Sequence, residues 1–446
     1  MATRVGAYGG AFTDKHRRGV NITSSWRVYT LGFTLLVALA ICSRNFADRG
    51  GPHFMASLTV AGLAYLLAIR EFFATAKFSR TVIVIGLVLA AMWHVAFLRV
   101  PAGNDDDIHR YVWDGRLQRH GYNPYLVVPS DPAVKALHTA ETRNLNNPDL
   151  PSPYPPGAQL FFRAVTAIQE STFALKLAFV LCEVAIVLIL LDVLRYRRQE
   201  AHLVLAFAWN PLLAIEVAGS GHIDIVGALF LLASAAALQR RWRTTAAVGL
   251  GLAIAVKFLP VVLLPLYWKR IRIRDAGLAA VVIGLLYVPF LNHGRIPIGS
   301  IGTYVQTFRF NGPIFAALNH VAPSQFLAGL AVLVGMATAA WLRSTVREWS
   351  PDLLTWPMAV SLLCAPVVFP WYLLWLVPFL TSVSTLPIII WTVSIIPTYV
   401  QWHLRTLGHP WGALPGWVMV VEYGCLATAG ALIVLRGLGI RRVSVD

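Results

Sequence analysis

The segment from Asp105 to Asp107 concentrates acidic side chains in a chain that is otherwise poor in charge. Only 13% of its 446 residues are charged, yet three consecutive carboxylates stand here, shortly after an apolar run that ends at Leu98. Adjacent carboxylates raise one another's pKa, which suits a general base that takes a proton from a hydroxyl. The same cluster could bind a cation, and the plain alternative is a turn that faces open water.

Two further sites place polar side chains in apolar surroundings. Lys257 lies alone in a strongly apolar run, where it is costly unless it meets an anion such as a phosphate or reaches the lipid headgroups. His222 and Asp224 follow a Gly-Ser-Gly turn and could contact a sugar or a phosphate, or could cap and pair locally. Arg110 and Asp114 are one turn apart if their segment is helical, and we expect them to pair.

Three cations in later predicted outer loops suit a phosphate leaving group. They are Arg309, His403 and Arg405. Guanidinium and imidazolium groups bind phosphate through charged hydrogen bonds, although each of these residues taken alone is an ordinary surface residue. Trp371 and Tyr372 could line a lipid groove or anchor the chain at the membrane interface.

The elements that must position these residues are membrane helices. Hydrophobic residues make up 57% of the sequence, the mean hydropathy is +0.63, and charged residues are about half as frequent as in soluble domains. Apolar runs of roughly 16 to 23 residues recur along the chain, which is the length that a helix needs to cross a bilayer. We therefore predict one all-α, polytopic integral-membrane domain over residues 1–446, with about twelve transmembrane helices, among them spans at 203–217, 356–369 and 371–380.

Basic clusters between the apolar runs predict the direction of each span. The net charge of +16 is spread over short clusters rather than one face, which favours a topological role and contact with anionic lipid headgroups over nucleic-acid binding. With both termini on the cytoplasmic side of the inner (plasma) membrane, the third span leads outward. The segment 101–157 then becomes a long outer loop that carries the acidic cluster.

The segment Ala246–Trp268 does not fit a single crossing. It is long enough to cross once, yet basic clusters flank both ends, and Lys257 and Pro260 interrupt its middle. A proline removes a helix hydrogen bond, so two half-helices forming a re-entrant hairpin fit better, with Lys257 near the tip and neighbouring helices burying the broken backbone. The flanking clusters comprise Arg241, Arg243, Lys269, Arg270, Arg272 and Arg274.

Several short motifs occur in order along the chain and carry a family resemblance. They are Asp106-Asp107-x-x-Arg110-Tyr111-x-Trp113-Asp114-Gly115, Gly121-x-Asn123-Pro124-Tyr125, Tyr154-Pro155-Pro156-Gly157-Ala158-Gln159, Gly219-Ser220-Gly221-His222-x-Asp224, Lys257-Phe258-x-Pro260 and Pro370-Trp371-Tyr372-Leu373-x-Trp375. Together they resemble the GT-C superfamily of polytopic glycosyltransferases. The likeness is to bacterial polyprenyl-phosphate-mannose-dependent α-mannosyltransferases in particular, and more distantly to GPI mannosyltransferase I.

The resemblance implies an inverting transfer of a sugar, expected to be mannose, from a polyprenyl-phosphate donor. The acceptor would be a hydroxyl of a lipid-linked or cell-envelope glycan on the outer face. Such enzymes use an aspartate of the first long outer loop as base, which carries over to Asp106, with Asp107 as its neighbour. Asp105 falls where relatives often have a small polar residue. Substrate contacts are expected at Asp105, Arg110, Tyr154, His222, Asp224, Lys257, Arg309, His403 and Arg405. The related fold often recruits a divalent cation, and the sequence leaves that requirement and the oligomeric state open.

A transporter or flippase of lipid-linked sugars is the second function that the sequence allows. Such a protein would also need polar groups inside an apolar bundle. Transporters, however, place charges near the midplane of several helices and often contain internal repeats. Here most acidic groups lie in predicted outer loops, and an enzyme should hold its carboxylate loop over a cavity that opens outward and sideways to lipid.

Overall fold

The computed structural model describes residues 22–103, 106–143, 145–346, 348–412 and 414–436. Within these ranges the regular structure is helical, and the two β-bridges are isolated. The α-helices are α1 (Ile22–Arg44), α2 (Pro52–Ala74), α3 (Arg80–Leu98), α4 (Ile108–Arg119), α5 (Pro156–Ile168), α6 (Thr172–Tyr196), α7 (Val204–Ala208), α8 (Asp224–Gln239), α9 (Arg243–Val256), α10 (Leu264–Tyr267), α11 (Ile273–Tyr287), α12 (Ile301–Thr307), α13 (Pro313–Leu318), α14 (Ser324–Thr345), α15 (Thr355–Leu363), α16 (Leu386–Ser394), α17 (Val400–Thr406) and α18 (Gly416–Leu435).

Eight helical stretches in the described part of the chain are long and apolar enough to cross a membrane. Large apolar side chains such as Phe33, Leu188 and Val420 stay exposed on them, which suits contact with lipid chains. This agrees with the predicted all-α polytopic class. The stretches are Ser25–Arg44, Pro52–Ala74, Arg80–Leu98, Thr172–Tyr196, Ile273–Phe290, Ser324–Thr345, Val383–Thr406 and Gly416–Leu435.

The roughly twelve spans expected from apolar runs are not confirmed, because eight stretches of the described residues, or nine with one bent pair, are long and apolar enough to span. The segment 203–217, expected to be one straight span, belongs to two pieces, Ala201–Ala208 and Leu213–Gly219, that meet at 64° and form at most a ninth crossing. The bend follows from Pro211, which provides no N–H and restricts Asn210 before it. The expected spans at 356–369 and 371–380 are the nine-residue α15 and a run of 3-10 turns. Both are shorter than the ~20 residues that a crossing needs.

The long helices run between two ends of the molecule. At one end, Arg240 after α8 pairs with Asp192 on α6, and Trp349 after α14 donates to Ala235 O of α8. We call this the basic end, because the arginine and lysine clusters between the helices gather there. At the opposite end the described residues of the segment 99–155 pack over the bundle, and we call this the loop end.

The chain turns back within the segment expected to form a hairpin. Helix α9 begins at the basic end and ends at Lys257, whose backbone is extended with φ −159° and ψ 145°. A 3-10 turn and α10 then return the chain toward the basic end. The Thr244 hydroxyl at the start of α9 donates to Asp275 Oδ1 at 2.6 Å, near the start of α11. The chain therefore enters and leaves this segment at the same end, as a hairpin requires. Its re-entrant insertion into the membrane stays a prediction.

A second turn-back spans residues 351–385 and was not expected from the sequence. The Ser384 hydroxyl donates to Asp352 Oδ2 at 3.4 Å, so the segment starts and finishes at one place. Its tip is held by Phe310, which exchanges backbone hydrogen bonds with Pro366 O and Val368 N at 3.1 and 2.8 Å. The 3-10 run after Phe369 therefore belongs to a segment that turns back, and most of its side chains are buried inside the bundle.

Part of the predicted long outer loop is helical. Helix α4 begins directly after Asp107 and packs against α5. Gly115 makes this approach possible, because a Cβ at this position would lie 2.4 Å from Thr166 Oγ1 and 2.7 Å from Phe162 O. The acidic segment is therefore fixed to the bundle by a packed helix rather than suspended in a flexible loop.

Candidate active site

A cavity of about 650 Å³ lies at the loop end, a volume typical of small-molecule sites. Its walls come from the acidic segment, the turn before α8, the tip of the α9 hairpin, α12, the 3-10 run after Phe369, and α17 with the residues that follow. Aromatic rings make up much of the wall. Its polar lining comprises Asp106, Asp107, Arg110, Asn146, Asn147, Tyr154, His222, Asp224, Lys257, Ser300, Tyr304, Tyr372, Arg405 and His409. Asp105 lies outside the described residues.

Asp106 is part of this wall, but its carboxylate already has partners. Its Oδ1 pairs with Arg49 Nη1 at 2.7 Å, and its Oδ2 accepts from the Gly103 N–H at 2.6 Å. The side chain is buried. Both oxygens are thus engaged within the protein, which suits holding the loop better than accepting a proton from a substrate.

Asp107, one residue later, has more open surroundings. It directly precedes α4, is only half-buried, and its Oδ1 accepts from Asn146 Nδ2 at 2.9 Å. Its side chain does not cap α4, although it stands at the capping position. The Asp107 carboxylate therefore lies in the cavity wall and makes no capping hydrogen bond to α4.

Tyr154 supports the same carboxylate from the far end of the loop. Burial raises the pKa of the Tyr154 hydroxyl well above its usual range, and the nearby Asp107 and Tyr111 raise it further. The phenol therefore keeps its proton and can donate it in a hydrogen bond to Asp107. The Tyr154 and Tyr111 rings meet edge to face at 5.0 Å, which fixes this arrangement.

Arg110 and Asp114 form the expected pair, and it is structural. Arg110 Nε lies 2.9 Å from Asp114 Oδ1, and its Nη2 donates to Leu150 O at 2.8 Å. The other carboxylate oxygen of Asp114 accepts from Ser152 Oγ at 2.5 Å and Gln159 Nε2 at 2.8 Å. This buried network ties α4 to the second half of the loop, while the Arg110 side chain also reaches the cavity.

Lys257 does not stand alone, because Asp224 compensates its charge. Lys257 Nζ lies 2.7 Å from Asp224 Oδ1, which also accepts from Trp375 Nε1 at 2.7 Å. The same ammonium sits 4.0 Å from the centre of the Tyr372 ring, a cation–π contact. The hairpin tip is therefore locked to α8 and to the 3-10 run, and the cation still borders the cavity.

His222 connects the cavity to a buried carboxylate. Its Nε2 lies 3.1 Å from Glu216 Oε2, and Glu216 Oε1 accepts from the Tyr399 hydroxyl. Burial alone would lower the pKa of His222, but the bond to Glu216 and the charges of Asp107 and Asp224 outweigh it and raise this pKa. The imidazole stacks on Trp371 with ring centres 4.0 Å apart. His222 is thus held at the cavity wall by Glu216 and by the Trp371 ring.

The three outer-loop cations separate in the structure. Arg405 lines the cavity beside Trp411, with its guanidinium 5.5 Å from that ring. Arg309 and His403 are not among the described residues that line it. Arg309 donates to three carbonyls in or just after α12 and to Ser324 Oγ, and His403 pairs with Asp48 at 3.0 Å. The structure therefore gives these two residues local partners in place of the expected phosphate.

Sequence reasoning missed Arg49, Glu216 and Trp375 as members of this site. Arg49 lies in the short connection between α1 and α2 and is buried against the acidic segment. One signal could have identified it, since Arg44 and Arg49 both lie in the turn after the first apolar run, which the predicted topology places outside, and basic residues usually lie inside. Glu216 and Trp375 lie in apolar runs, and only their hydrogen bonds to Tyr399 and Asp224 show their roles.

The described residues do not present a metal site. No group of three or more His, Cys, Asp or Glu side chains among them could hold a metal ion. Both Asp106 oxygens are also taken by Arg49 and Gly103.

One comparison with known proteins finds a match. The model of the MptA/B family, described as the N-terminal domain of α-(1→6)-mannopyranosyltransferases, matches residues 34–270, which include the acidic segment, the His222 turn and Lys257. Among curated proteins and solved structures, none matches the chain.

Proposed function

The chain belongs to the α-(1→6)-mannopyranosyltransferase family, and from this premise we propose that it moves mannose from a polyprenyl-phosphate donor to a glycan hydroxyl. The acceptor is a lipid-linked or cell-envelope glycan. The observation that carries the proposal is the half-buried Asp107 carboxylate at the wall of a cavity whose other walls hold cations and aromatic rings. Each of these groups matches one part of the reaction.

Asp107 acts as the general base in this proposal. The acceptor oxygen attacks the anomeric carbon while its proton passes to Asp107, and the bond from that carbon to the phosphate oxygen breaks in the same step. The polyprenyl phosphate leaves with the electron pair, so no separate acid is needed. A single displacement inverts the anomeric centre, which means that an α-linked product requires a β-linked donor.

The cations of the cavity account for the leaving phosphate. His222, Lys257 and Arg405 all line it, and the negative charge on the phosphate grows as the bond breaks. Lys257 shares its charge with Asp224, and His222 is bonded to Glu216, so we assign phosphate binding to the three side chains together. Phe258, at the hairpin tip, is exposed and also lines the cavity, and it offers an apolar path for the lipid chain.

The loop end faces outward in this proposal. Basic residues of membrane proteins concentrate on the cytoplasmic side, and here they cluster at the basic end. The cavity then opens on the outer face of the inner membrane.

The test is a transfer assay with the purified protein in liposomes. We supply β-mannosyl polyprenyl phosphate and an α-(1→6)-linked mannose oligosaccharide, and follow the extended product by mass spectrometry. The wild-type protein should extend the acceptor. The Asp107→Asn variant should lose turnover by about 10²–10⁴-fold, since it cannot take the proton, while it still binds donor.

The outcomes separate the alternatives. A larger loss in Asp106→Asn than in Asp107→Asn would return the base to Asp106, as the family resemblance predicts. If the wild-type protein moves the donor between leaflets of sealed liposomes and extends no acceptor, the flippase is the correct function.

A further inference from the structure

Arg49 joins four separate parts of the chain at the edge of the cavity. Its side chain is 6% exposed, and its Nη1 contacts both Asp106 Oδ1 and Ser220 Oγ at 2.7 Å. Its guanidinium carbon lies 4.8 Å from the Phe46 ring and 5.7 Å from the Trp402 ring. A fully charged group buried this deeply is stable only with compensating partners, and here every partner belongs to a different element.

The backbone around Arg49 is wedged in place as firmly as its side chain. Gly50 has φ +84°, and a Cβ there would lie 2.0 Å from Tyr399 O, so only glycine fits. On the other side, Asp48 pairs with His403 at 3.0 Å. These contacts hold the connection between α1 and α2 against α17. Arg49 therefore cannot shift unless this whole connection moves.

Arg49 affects the proposed base, Asp107, through the residue that precedes it, Asp106. Arg49 fixes the Asp106 carboxylate, and Gly103 fixes its other oxygen, so the backbone entering Asp107 has a set direction. Arg49 also neutralises Asp106, which keeps a second, uncompensated carboxylate from standing beside Asp107.

We propose that Arg49 is a positioning residue for glycosyl transfer, acting through Asp106 to aim the Asp107 carboxylate at the acceptor. This rests on the proposed function, in which Asp107 is the base. Arg49 touches no reacting atom. It should therefore influence turnover and leave donor binding nearly unchanged.

The experiment compares Arg49→Gln, Arg49→Lys, Arg27→Gln, Asp106→Asn and the double variant Arg49→Gln/Asp106→Asn in the transfer assay, with kcat and KM for the donor measured separately. Arg49→Gln should lower kcat by about 10²-fold, the loss expected from a misplaced reacting group, with KM within a few-fold of wild type. Arg49→Lys keeps the charge near Asp106 and should recover most of the turnover. Arg27→Gln is the matched control on α1, because its partner Glu71 lies at the other end and its side chain is 58% exposed. It should behave as wild type.

The double variant Arg49→Gln/Asp106→Asn separates positioning from general damage. Arg49→Gln and Asp106→Asn break the same ion pair, so their effects should not add, and the double variant should be no slower than the slower of the two single variants. Thermal unfolding of each variant in detergent shows whether it is folded. A folded Arg49→Gln protein with normal kcat overturns the proposal, and so does a double variant slower than both single ones. If Asp107→Asn is fully active, the proposed function fails instead.

Discussion

Asp106 and Asp107 are neighbours in sequence, yet their side chains have different surroundings. Asp106 is buried and paired with a cation, whereas Asp107 is half-buried and accepts from two neutral side chains, Asn146 and Tyr154. A general base needs a carboxylate that the substrate hydroxyl can reach. The packing around the two residues therefore favours Asp107, although the family resemblance alone points to Asp106.

At the same scale, the Lys257–Asp224 pair makes a prediction about stability. Lys257→Met should lower the free energy of unfolding by about 3 kcal/mol, because it leaves a fully buried carboxylate without its cation. Adding Asp224→Asn removes that charge and should restore most of the loss. Thermal unfolding of the single and double variants in detergent measures both effects.

The control for this prediction is Arg274→Gln. Arg274 is 71% exposed and lies 4.0 Å from Asp275, so its loss should change stability by less than about 0.5 kcal/mol. If the double variant is less stable than Lys257→Met alone, the pair does not compensate as the geometry indicates.

At the scale of elements, the α9 hairpin shows what interrupts a membrane segment. The sequence signals were a lysine, a proline and flanking basic clusters, and the structure turns the chain at that lysine. The extended backbone at Lys257 ends α9, and the side chain bonds to Asp224 at the N-terminus of α8. An ion pair thus stabilises the turn where the helix hydrogen bonds stop.

The hairpin makes a prediction about proximity at the basic end. In a cysteine-free background, the pair Thr244→Cys/Asp275→Cys should form a disulfide on mild oxidation in membranes, since the native side chains hydrogen-bond at 2.6 Å. Peptide mass spectrometry identifies the cross-link. The pair Thr244→Cys/Tyr287→Cys is the control and should stay reduced, because Tyr287 is at the other end of α11. Cross-linking of the control pair alone would contradict the hairpin geometry.

The bent segment 201–219 shows what apolar patterning misses. Its hydrophobicity is that of a span, but Pro211 breaks the helix and the second part is a π-helix. The bend brings Glu216 into contact with His222, and it brings Ser220 into contact with Arg49. An element that departs from a straight span is therefore the one that supports the site.

At the scale of the whole molecule, the two ends differ in charge and in chemistry. The long helices alternate in direction between them, so basic clusters from distant parts of the chain meet at one end and the cavity forms at the other. Such asymmetry is what orients a membrane protein. The arginines of the basic end are thus separated along the bundle from the arginines near the cavity.

Orientation makes the last prediction. In a cysteine-free background, Tyr122→Cys at the loop end should react with an impermeant thiol reagent in intact cells, since Tyr122 is 41% exposed. Arg241→Cys at the basic end should react only after permeabilisation. The reverse pattern, in variants shown to be expressed and active, would place the cavity on the cytoplasmic side.

The sequence by itself determined the class, the family and the segments that matter. Composition and the lengths of apolar runs established an all-α membrane protein, and the ordered motifs predicted the family, which the family match confirms. These properties depend on residues close together in the chain, where periodicity and spacing act directly. The number of about twelve spans is not confirmed, because apolar runs do not show whether a segment crosses or turns back.

Only the tertiary structure decided which partners the charged side chains of the site have. Arg49 and Ser220 are 171 residues apart, Asp224 and Trp375 are 151 apart, and Glu216 and Tyr399 are 183 apart. Local pattern carries no information on such pairs, because they form when helices from distant parts of the chain pack at one end. The choice between two adjacent aspartates therefore depended on a neighbour more than 50 residues away along the chain, and burial with that partner separated the anchored carboxylate from the accessible one.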